Sequence, residues 1–395
     1  MSKAKDSSRG SQAEALEYTS SGEGFFGRLD PVLVVSALSL IAIGLFAVAS
    51  SSTAFSVKHY SNPHFVFYKQ LVGIGLGCGI AYIAYRMPTE FWYRRAGWFF
   101  IFLLIACALV LIPGIGIKAG GARRWLGFAG LRIQPSEFMK LATLFFAAAL
   151  LARELQKPIV AMKGLLVPVG IAQIGVALVV AEDLGSAVVI ELVLGVMILA
   201  AGLPIRWLLL SILGIFPIIY HLIASTPFRI RRIMGFIDPW AHRSTSGYQI
   251  TEALISIGSG GVTGVGLGSG KKQLHFLPEP HTDFIFAIWA EETGFIGAAI
   301  LILLFTVFCI RGWWLSRQLI EPFEKCLAVG LTALIGLPAM FNLYVALGLI
   351  PTKGLALPFI SSGLSHLLVS LIALGILLKL STKRQELATR KAGTS

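Results

Sequence analysis

The chain has 395 residues, of which 56% are hydrophobic and only 13% are charged. Its mean hydropathy of +0.79 excludes an ordinary water-soluble globular protein and predicts a membrane protein. The net charge of +13 comes from basic residues scattered over short loops and tails, a pattern that suits contact with anionic membrane lipids and excludes nucleic acid as a partner.

Apolar runs of about 20 residues predict an all-α polytopic membrane protein with ten transmembrane helices. Residues 1–30 are polar and carry no signal-peptide pattern, so they predict a disordered cytosolic tail. Residues 31–380 predict a single ten-helix membrane domain, and residues 381–395 a basic cytosolic tail. The predicted helices lie at 32–53, 66–85, 97–114, 135–152, 163–181, 184–203, 205–224, 283–310, 325–349 and 355–380.

Lysine and arginine concentrate in alternate short loops, which predicts a cytoplasmic location for both termini. The loop between helices 3 and 4 breaks this rule, because a cluster of cations falls on the predicted outer side, and a functional role is expected there. Its members are Lys118, Arg123, Arg124 and Arg132. The four cysteines lack paired spacing and indicate neither disulfides nor a metal site.

The start of predicted helix 4 carries an acid and a base on one face. Pro135 favours a helix start, and Glu137 and Lys140 are three residues apart. One interpretation is a buried structural ion pair, which needs good partners because burying both charges is costly. The other is that Lys140 binds a phosphate together with Arg132. In the same loop, Trp125 suits either stacking on a sugar or anchoring at the membrane interface.

A long outer loop, residues 225–282, separates helices 7 and 8 and is the predicted working surface. Its first part, residues 229–236, alternates cations with large apolar residues, as an interfacial segment does. Ser246 and Gln249 are candidates for hydrogen bonds to carbohydrate. The glycine-rich stretch 258–270 does not match a nucleotide-binding loop and predicts tight re-entrant packing.

Asp283 stands where this polar loop meets the apolar residues of helix 8. A carboxylate at the hydrocarbon boundary is expected to face protein, water or a ligand. Glu291 and Glu292 follow, about 12 Å deeper if the helix is straight, where internal hydrogen bonds are expected. Glu279 and His281 flank Asp283 and could position a sugar or a divalent ion, but this set does not define a metal site.

Three segments, residues 132–140, 277–285 and 348–358, closely resemble the SEDS family of bacterial cell-wall proteins (shape, elongation, division and sporulation). The resemblance covers about residues 30–380. Within it, residues 351–355 are more similar to the division branch, FtsW, than to the elongation branch, RodA.

The resemblance implies a glycosyltransferase that polymerises lipid II into glycan strands at the outer face of the cytoplasmic membrane. It assigns Asp283 as the catalytic carboxylate, with Arg132 and Lys140 as cations of the site. We interpret Asp283 as the general base and expect Lys140 and Arg132, together with Arg123, to neutralise the pyrophosphate. It also implies a class B penicillin-binding protein transpeptidase as partner, together with other division or elongation proteins. No cofactor is certain, and a requirement for Mg²⁺ or Mn²⁺ is left open.

One segment departs from the family. Where its members commonly have Ser-x-Gly-Gly-Ser-Ser on helix 10, this chain has Leu364 and His366 in place of a glycine and a serine. Two other functions stay open: a transporter that moves lipid II, which would depend on Glu291 and Glu292, and a non-catalytic scaffold, which would tolerate loss of the Asp283 carboxylate.

Overall fold

The structure, a computed structural model, describes most of the predicted membrane domain. The predicted tail up to residue 28, most of predicted helix 7, and the loop residues Glu279 and His281 lie outside the described residues. The described residues are 29–119, 122–128, 131–157, 162–202, 206, 209, 213–214, 216–217, 227–270, 282–352 and 354–392.

Helices dominate the part of the chain that the structure describes, and one small sheet interrupts them. In chain order the elements are α1 (Pro31–Tyr60), α2 (Phe65–Arg86), α3 (Thr89–Leu111), β1 (Gly116–Ala119), β2 (Ala122–Phe128), β3 (Leu131–Ile133), α4 (Pro135–Leu155), α5 (Met162–Glu182), α6 (Leu184–Ala200), α7 (Pro227–Ile237), α8 (Tyr248–Gly260), α9 (Ile285–Gln318), α10 (Pro322–Ala346) and α11 (Leu364–Ala392).

Six of these helices are long and apolar enough to cross a membrane: α1, α2, α3, α9, α10 and the Leu364–Gln385 part of α11. Shorter apolar helical stretches lie at Gly170–Val180 and Leu184–Ala200. The chain is therefore a multi-pass membrane protein. The predicted separation of helices 5 and 6 is confirmed, since Asp183 accepts a hydrogen bond from the Gly185 N–H at the start of α6. The total of ten spans stays a prediction.

Ion pairs tie several helix ends together at one end of the bundle. The buried Asp30 carboxylate caps α1 and accepts from Arg311 Nε of α9 at 2.8 Å, with Arg384 of α11 at 3.9 Å. Glu324 of α10 pairs with Lys383 of α11. We call these five residues the basal cluster, and the end of the bundle where they lie the basal end.

The sheet is a correction to the all-α prediction. The three strands pair antiparallel in the order β1-β2-β3, between α3 and α4. Since α3 begins beside the basal cluster, where Thr89 donates to Glu324, the sheet lies at the opposite end. Its physical reason is that β2 pairs with a strand on each side, which satisfies the backbone N–H and C=O groups of a stretch too short and too polar to form a transmembrane helix.

The start of α11 is a second correction, because the helix begins at Leu364 rather than at residue 355. Residues 354–363 are apolar enough to resemble helix but form a buried loop, which we call the 354–363 loop. Phe359 has a φ of 65° within it, a conformation that an α-helix does not contain. At its other end α11 continues to Ala392, so the predicted basic tail is largely helical.

Predicted helix 8 is also interrupted, since α9 breaks at Gly294, where φ is 67°. The glycine-rich stretch packs into this break: the Val265 N–H donates to the Glu291 carbonyl at 3.0 Å and the Gly266 N–H to the Glu292 carbonyl at 3.0 Å. A Cβ at Gly294 would lie 2.4 Å from the Gly264 nitrogen. The predicted tight packing of these glycines is confirmed, and their re-entrant path stays a prediction.

Substitution of Gly294 by alanine is expected to destabilise the protein. The new Cβ would meet backbone atoms of Gly264 and Val262, and alanine rarely adopts a positive φ, a strain of roughly 1–3 kcal/mol before any clash. Gly79→Ala in α2 is the matched control, because a Cβ added there would have nothing within 4 Å. Thermal unfolding in detergent should show a lower transition temperature for Gly294→Ala alone; equal transitions would contradict the packing of the break.

Candidate functional site

The backbone of Asp283 is fixed by a buried amide on α10. Asn342, which is 1% exposed, donates from Nδ2 to the Asp283 carbonyl at 2.8 Å and to the Leu355 carbonyl at 2.7 Å. At about 1.5 Å per residue, Asn342 lies roughly 27 Å along α10 from Glu324 of the basal cluster. Asp283 therefore lies near the opposite end of the bundle, as the sequence predicts.

A hydroxyl from the 354–363 loop fixes the neighbouring peptide. Ser361 Oγ donates to the Thr282 carbonyl at 2.6 Å and accepts from the Leu357 N–H at 2.8 Å. The Asp283 carboxylate lies against Gly354, where an added Cβ would be 3.2 Å from Oδ2. The carboxylate is thus held beside a loop whose backbone approaches it closely.

The 354–363 loop is rigidly seated in the bundle. Leu357, Phe359 and Ile360 are completely buried. Gly44 of α1 touches the loop so closely that a Cβ there would lie 2.7 Å from the Phe359 carbonyl oxygen. Backbone strain of the kind seen at Phe359 persists only where surrounding packing enforces it, and it is frequent at functional sites.

Apolar packing supports Asp283 from below. Phe284, in the turn before α9, and Ile288, in the first turn of α9, are buried against Ala253 of α8 and Val345 of α10. A further contact comes from α7, where Arg232 donates to the Thr352 carbonyl at 3.3 Å. The basic segment 229–236 thereby reaches the residues that precede the 354–363 loop.

Glu291 and Glu292 lie toward the same end of the bundle as Asp283. The Ser50 hydroxyl donates to the Glu292 carboxylate, and Ser50 lies roughly 30 Å along α1 from Asp30 of the basal cluster. The expectation that both glutamates sit about 12 Å deeper than Asp283 is therefore wrong. The expectation assumed one straight helix along the bundle, whereas α9 is broken at Gly294 and its first part is hydrogen-bonded to the glycine-rich stretch.

Glu137 and Lys140 form a buried ion pair. Lys140 Nζ lies 2.6 Å from Glu137 Oε1, and Lys140 and Glu137 are 6% and 8% exposed. Ser186 of α6 donates to Glu137 at 3.4 Å and to Asp183 at 2.8 Å. Gln134 donates to Asp183 at 3.4 Å. This polar network supplies the partners that a buried pair requires, which favours the structural interpretation of Glu137 and Lys140.

Residues 361–366 join this network to the Asp283 turn. The Gln134 N–H donates to Ser365 Oγ at 3.0 Å. His366 Nε2 lies 2.9 Å from the Ser361 carbonyl oxygen, and Ser361 Oγ donates to the Thr282 carbonyl. The Glu137–Lys140 network and the Asp283 turn are therefore connected through residues 361–366, the segment that departs from the family pattern.

The sheet carries the remaining predicted cations. Arg132 is paired with Gly127 across β2 and β3 and is exposed. Directly paired residues share a face, as do alternate residues of one strand. Trp125, two residues before Gly127, therefore shares one face of the sheet with Arg132. The register between β1 and β2 shifts by one residue at Arg124, so Arg123 lies on the other face, where it donates to the Leu111 carbonyl at 3.5 Å.

The remaining candidates are less closely connected to Asp283. Ser246 lies in the turn before α8, with its carbonyl against Gly235 of α7, and Gln249 lies in the first turn of α8. Both are half-buried, and their contact with carbohydrate stays a prediction. Within the described ranges, no group of three or more His, Cys, Asp or Glu side chains is arranged to hold a metal ion.

Sequence reasoning missed Asn342 and the linking role of Ser361. A signal existed for Asn342, because an amide inside an otherwise apolar helix must face protein or a cavity rather than lipid. Ser361 gave no comparable signal, since a hydroxyl can bond within its own helix or loop. His366 was visible only as a departure from the family pattern.

Together these features define a polytopic membrane protein that holds one carboxylate in a fixed backbone setting at one end of its helix bundle, with a small cationic sheet at the same end. The family model described as FtsW/RodA/SpoVE cell cycle protein matches residues 31–386. The chain belongs to this family, which confirms the resemblance found in the sequence.

Relatives cover nearly the whole chain. A probable peptidoglycan glycosyltransferase FtsW from Thiomicrospira cyclica is 38% identical, over 89% of this chain and 91% of its own length. Another from Coxiella burnetii is 37% identical, over 89% of this chain and 96% of its own length. The similarity to FtsW proteins agrees with the division branch indicated by residues 351–355.

Solved structures share the fold. A chain from a peptidoglycan synthase complex, described as coordinating polymerization and crosslinking, has a TM-score of 0.74 at 27% identity, over 90% of this chain and 98% of that chain. The rod shape determining protein RodA of Thermus thermophilus has a TM-score of 0.67 at 28% identity, over 90% of this chain and 97% of that chain.

Removal of the Lys140 charge tests the structural interpretation of the ion pair. Lys140→Met leaves the Glu137 carboxylate buried without its cation, a change expected to cost about 3–5 kcal/mol. Lys140→Met combined with Glu137→Gln should recover much of this loss. Arg94→Met is the matched control, since Arg94 and its partner Glu90 are both exposed and their pair should contribute at most about 1 kcal/mol.

The measurement is thermal unfolding of the wild type and these three variants in detergent. A Lys140→Met protein as stable as the wild type, but unable to bind substrate, would instead favour the interpretation of Lys140 as a phosphate ligand.

Proposed function

We propose that this chain is a peptidoglycan glycosyltransferase that polymerises lipid II into glycan strands during cell division. The observation that carries the proposal is the Asp283 carboxylate, whose backbone is held by Asn342 and whose side chain lies against Gly354. Relatives named as peptidoglycan glycosyltransferases, with coverage of about nine-tenths of the chain, support the same activity.

Asp283 acts in this proposal as the general base. Glycan extension joins the 4-hydroxyl of one sugar to the anomeric carbon of the next, and the bond from that carbon to the lipid pyrophosphate breaks. The carboxylate takes the hydroxyl proton as the new bond forms, a contribution of typically 10²–10⁴-fold in rate. A fixed backbone serves this role, because a base must stay within hydrogen-bond reach of the proton it accepts.

Cations on the sheet serve the leaving group. Arg132 shares a face with Trp125, so this face can offer a guanidinium group to the pyrophosphate and a ring to a sugar, while Arg123 supplies a second cation on the same sheet. Lys140 acts on the leaving group through the buried network and not by direct contact, because Glu137 already compensates its charge. Glu137 accordingly acts as its partner, and Ser246, Gln249, Glu279 and His281 remain candidates for contacts to the sugars.

The membrane setting follows from the same proposal. The cations of the basal cluster, Arg311, Lys383 and Arg384, support a cytoplasmic location for the basal end under the positive-inside rule. Asp283 then faces the outer side of the bacterial inner membrane, and both termini are cytoplasmic. The domain is residues 31–380, with residues 225–282 as its outer loop.

The proposed partner is a class B penicillin-binding protein transpeptidase, which crosslinks the strands that this chain makes. A structural neighbour from a synthase complex that coordinates polymerization and crosslinking supports this pairing. Other division proteins are expected to bind as well. The structure gives little support to lipid II transport, because Glu291 and Glu292 are packed by the glycine-rich stretch at the Asp283 end.

The decisive substitution is Asp283→Asn, tested with the chain purified together with its transpeptidase partner. It removes the base without changing side-chain volume, so polymer synthesis from lipid II should fall by about 10²–10⁴-fold. Asp238→Asn is the control, since this exposed residue caps a surface turn of the same loop and should retain the wild-type rate.

Gel analysis of labelled lipid II products gives the rates. Full activity of Asp283→Asn would refute the catalytic role. A wild-type protein that makes no polymer but moves lipid II across liposomes, and loses this with Glu291→Gln, would establish transport instead.

A further inference from the structure

His366 is a half-buried residue beside the Asp283 turn, and it has no role in the chemistry proposed above. It lies in the first turn of α11, in the segment that departs from the family pattern. The polar atoms of a largely enclosed side chain are usually hydrogen-bonded within the protein. Its contacts therefore indicate what this chain gains from the replacement.

The hydrogen-bond partner of Nε2 fixes the tautomer of the His366 ring. Nε2 lies 2.9 Å from the Ser361 carbonyl oxygen, and a carbonyl can only accept, so Nε2 carries the proton and donates. The other side of the ring lies against Gly363, where an added Cβ would be 2.6 Å from Nδ1. The glycine leaves space for the ring, and the ring holds one end of the 354–363 loop.

Ser361 carries this constraint to the Asp283 turn. Its peptide carbonyl receives the histidine hydrogen bond, while its hydroxyl donates to the Thr282 carbonyl at 2.6 Å. His366 is thus two hydrogen-bonded steps from the peptide that precedes Asp283. A serine at position 366 lacks the ring that spans the gap to the Ser361 carbonyl.

The network around the buried ion pair reaches the residue before His366. The Gln134 N–H donates to Ser365 Oγ, and the Gln134 side chain donates to Asp183, which shares Ser186 with Glu137. Any shift of the 361–366 segment would therefore move the ring relative to the pair as well as relative to the Asp283 turn.

We propose that His366 is a positioning residue for the reaction, which aligns Asp283 by holding Ser361 in place. This inference rests on the proposed function of Asp283. Because His366 acts through another residue and does not touch the sugars, its loss should lower kcat and leave the KM for lipid II nearly unchanged.

The test compares two substitutions of different hydrogen-bonding ability. His366→Leu removes the donor, and kcat is expected to fall about tenfold to a hundredfold, the range that a small misplacement of a catalytic group can cause. His366→Gln places an amide nitrogen at the same number of bonds from the backbone and should restore most of the rate. Gly363→Ala, which displaces the ring without altering Ser361, should resemble His366→Leu.

A double substitution tests the route through Ser361. Ser361→Ala should lower kcat alone, and its addition to His366→Leu should lower kcat little further, because both act on one link. Thermal unfolding of each protein serves as the control for a purely structural role.

Three outcomes would overturn the inference. The first is a wild-type kcat in His366→Leu, and the second is a decrease in kcat that is equal in His366→Leu and His366→Gln and parallels their decrease in thermal stability. The third is a double variant of His366→Leu and Ser361→Ala whose decrease in kcat equals the sum of the two single effects. Asp283→Asn is assayed alongside. If Asp283→Asn polymerises normally, the proposed function fails and the inference with it; if Asp283→Asn is inactive while His366→Leu is normal, the inference alone fails.

Discussion

The two hydrogen bonds donated by Asn342 are the constraint on which the site depends. One buried amide joins the Asp283 carbonyl to the Leu355 carbonyl, two segments that are far apart in the chain. Carbonyls that lack a partner are costly where water is excluded, by about 1–3 kcal/mol each. The amide therefore both satisfies these groups and sets the position of Asp283 relative to the 354–363 loop.

This constraint explains how irregular backbone can exist inside a helical membrane protein. Non-helical segments at membrane depth are tolerated where protein surrounds them and supplies their hydrogen bonds. Asn342 and Ser361 do this for the 354–363 loop, and backbone contacts with Val265 and Gly266 do it for the break in α9. The 354–363 loop borders the Asp283 turn directly, and the break in α9 ends the helical segment that begins just after that turn.

The sequence predicted the membrane class, most of the helices and the residues around which the site is built. Asp283 and the Glu137–Lys140 pair could be found because charged side chains are rare and costly in apolar surroundings. The 354–363 loop could not be distinguished from helix, because its hydrophobicity reflects burial in protein rather than contact with lipid. The sheet was missed because its strands are short, and the connection between the two constellations depends on tertiary contacts of Ser361 and His366 that no local pattern encodes.

The most direct test of the central claim is the rate of lipid II polymerisation by Asn342→Leu, purified with its transpeptidase partner. The substitution keeps the side-chain shape and the Asp283 carboxylate but removes both hydrogen bonds. If the position of Asp283 depends on this amide, polymerisation should fall at least about a hundredfold while the partner still co-purifies. A wild-type rate in Asn342→Leu would show that the carboxylate is positioned by other contacts and would contradict the account.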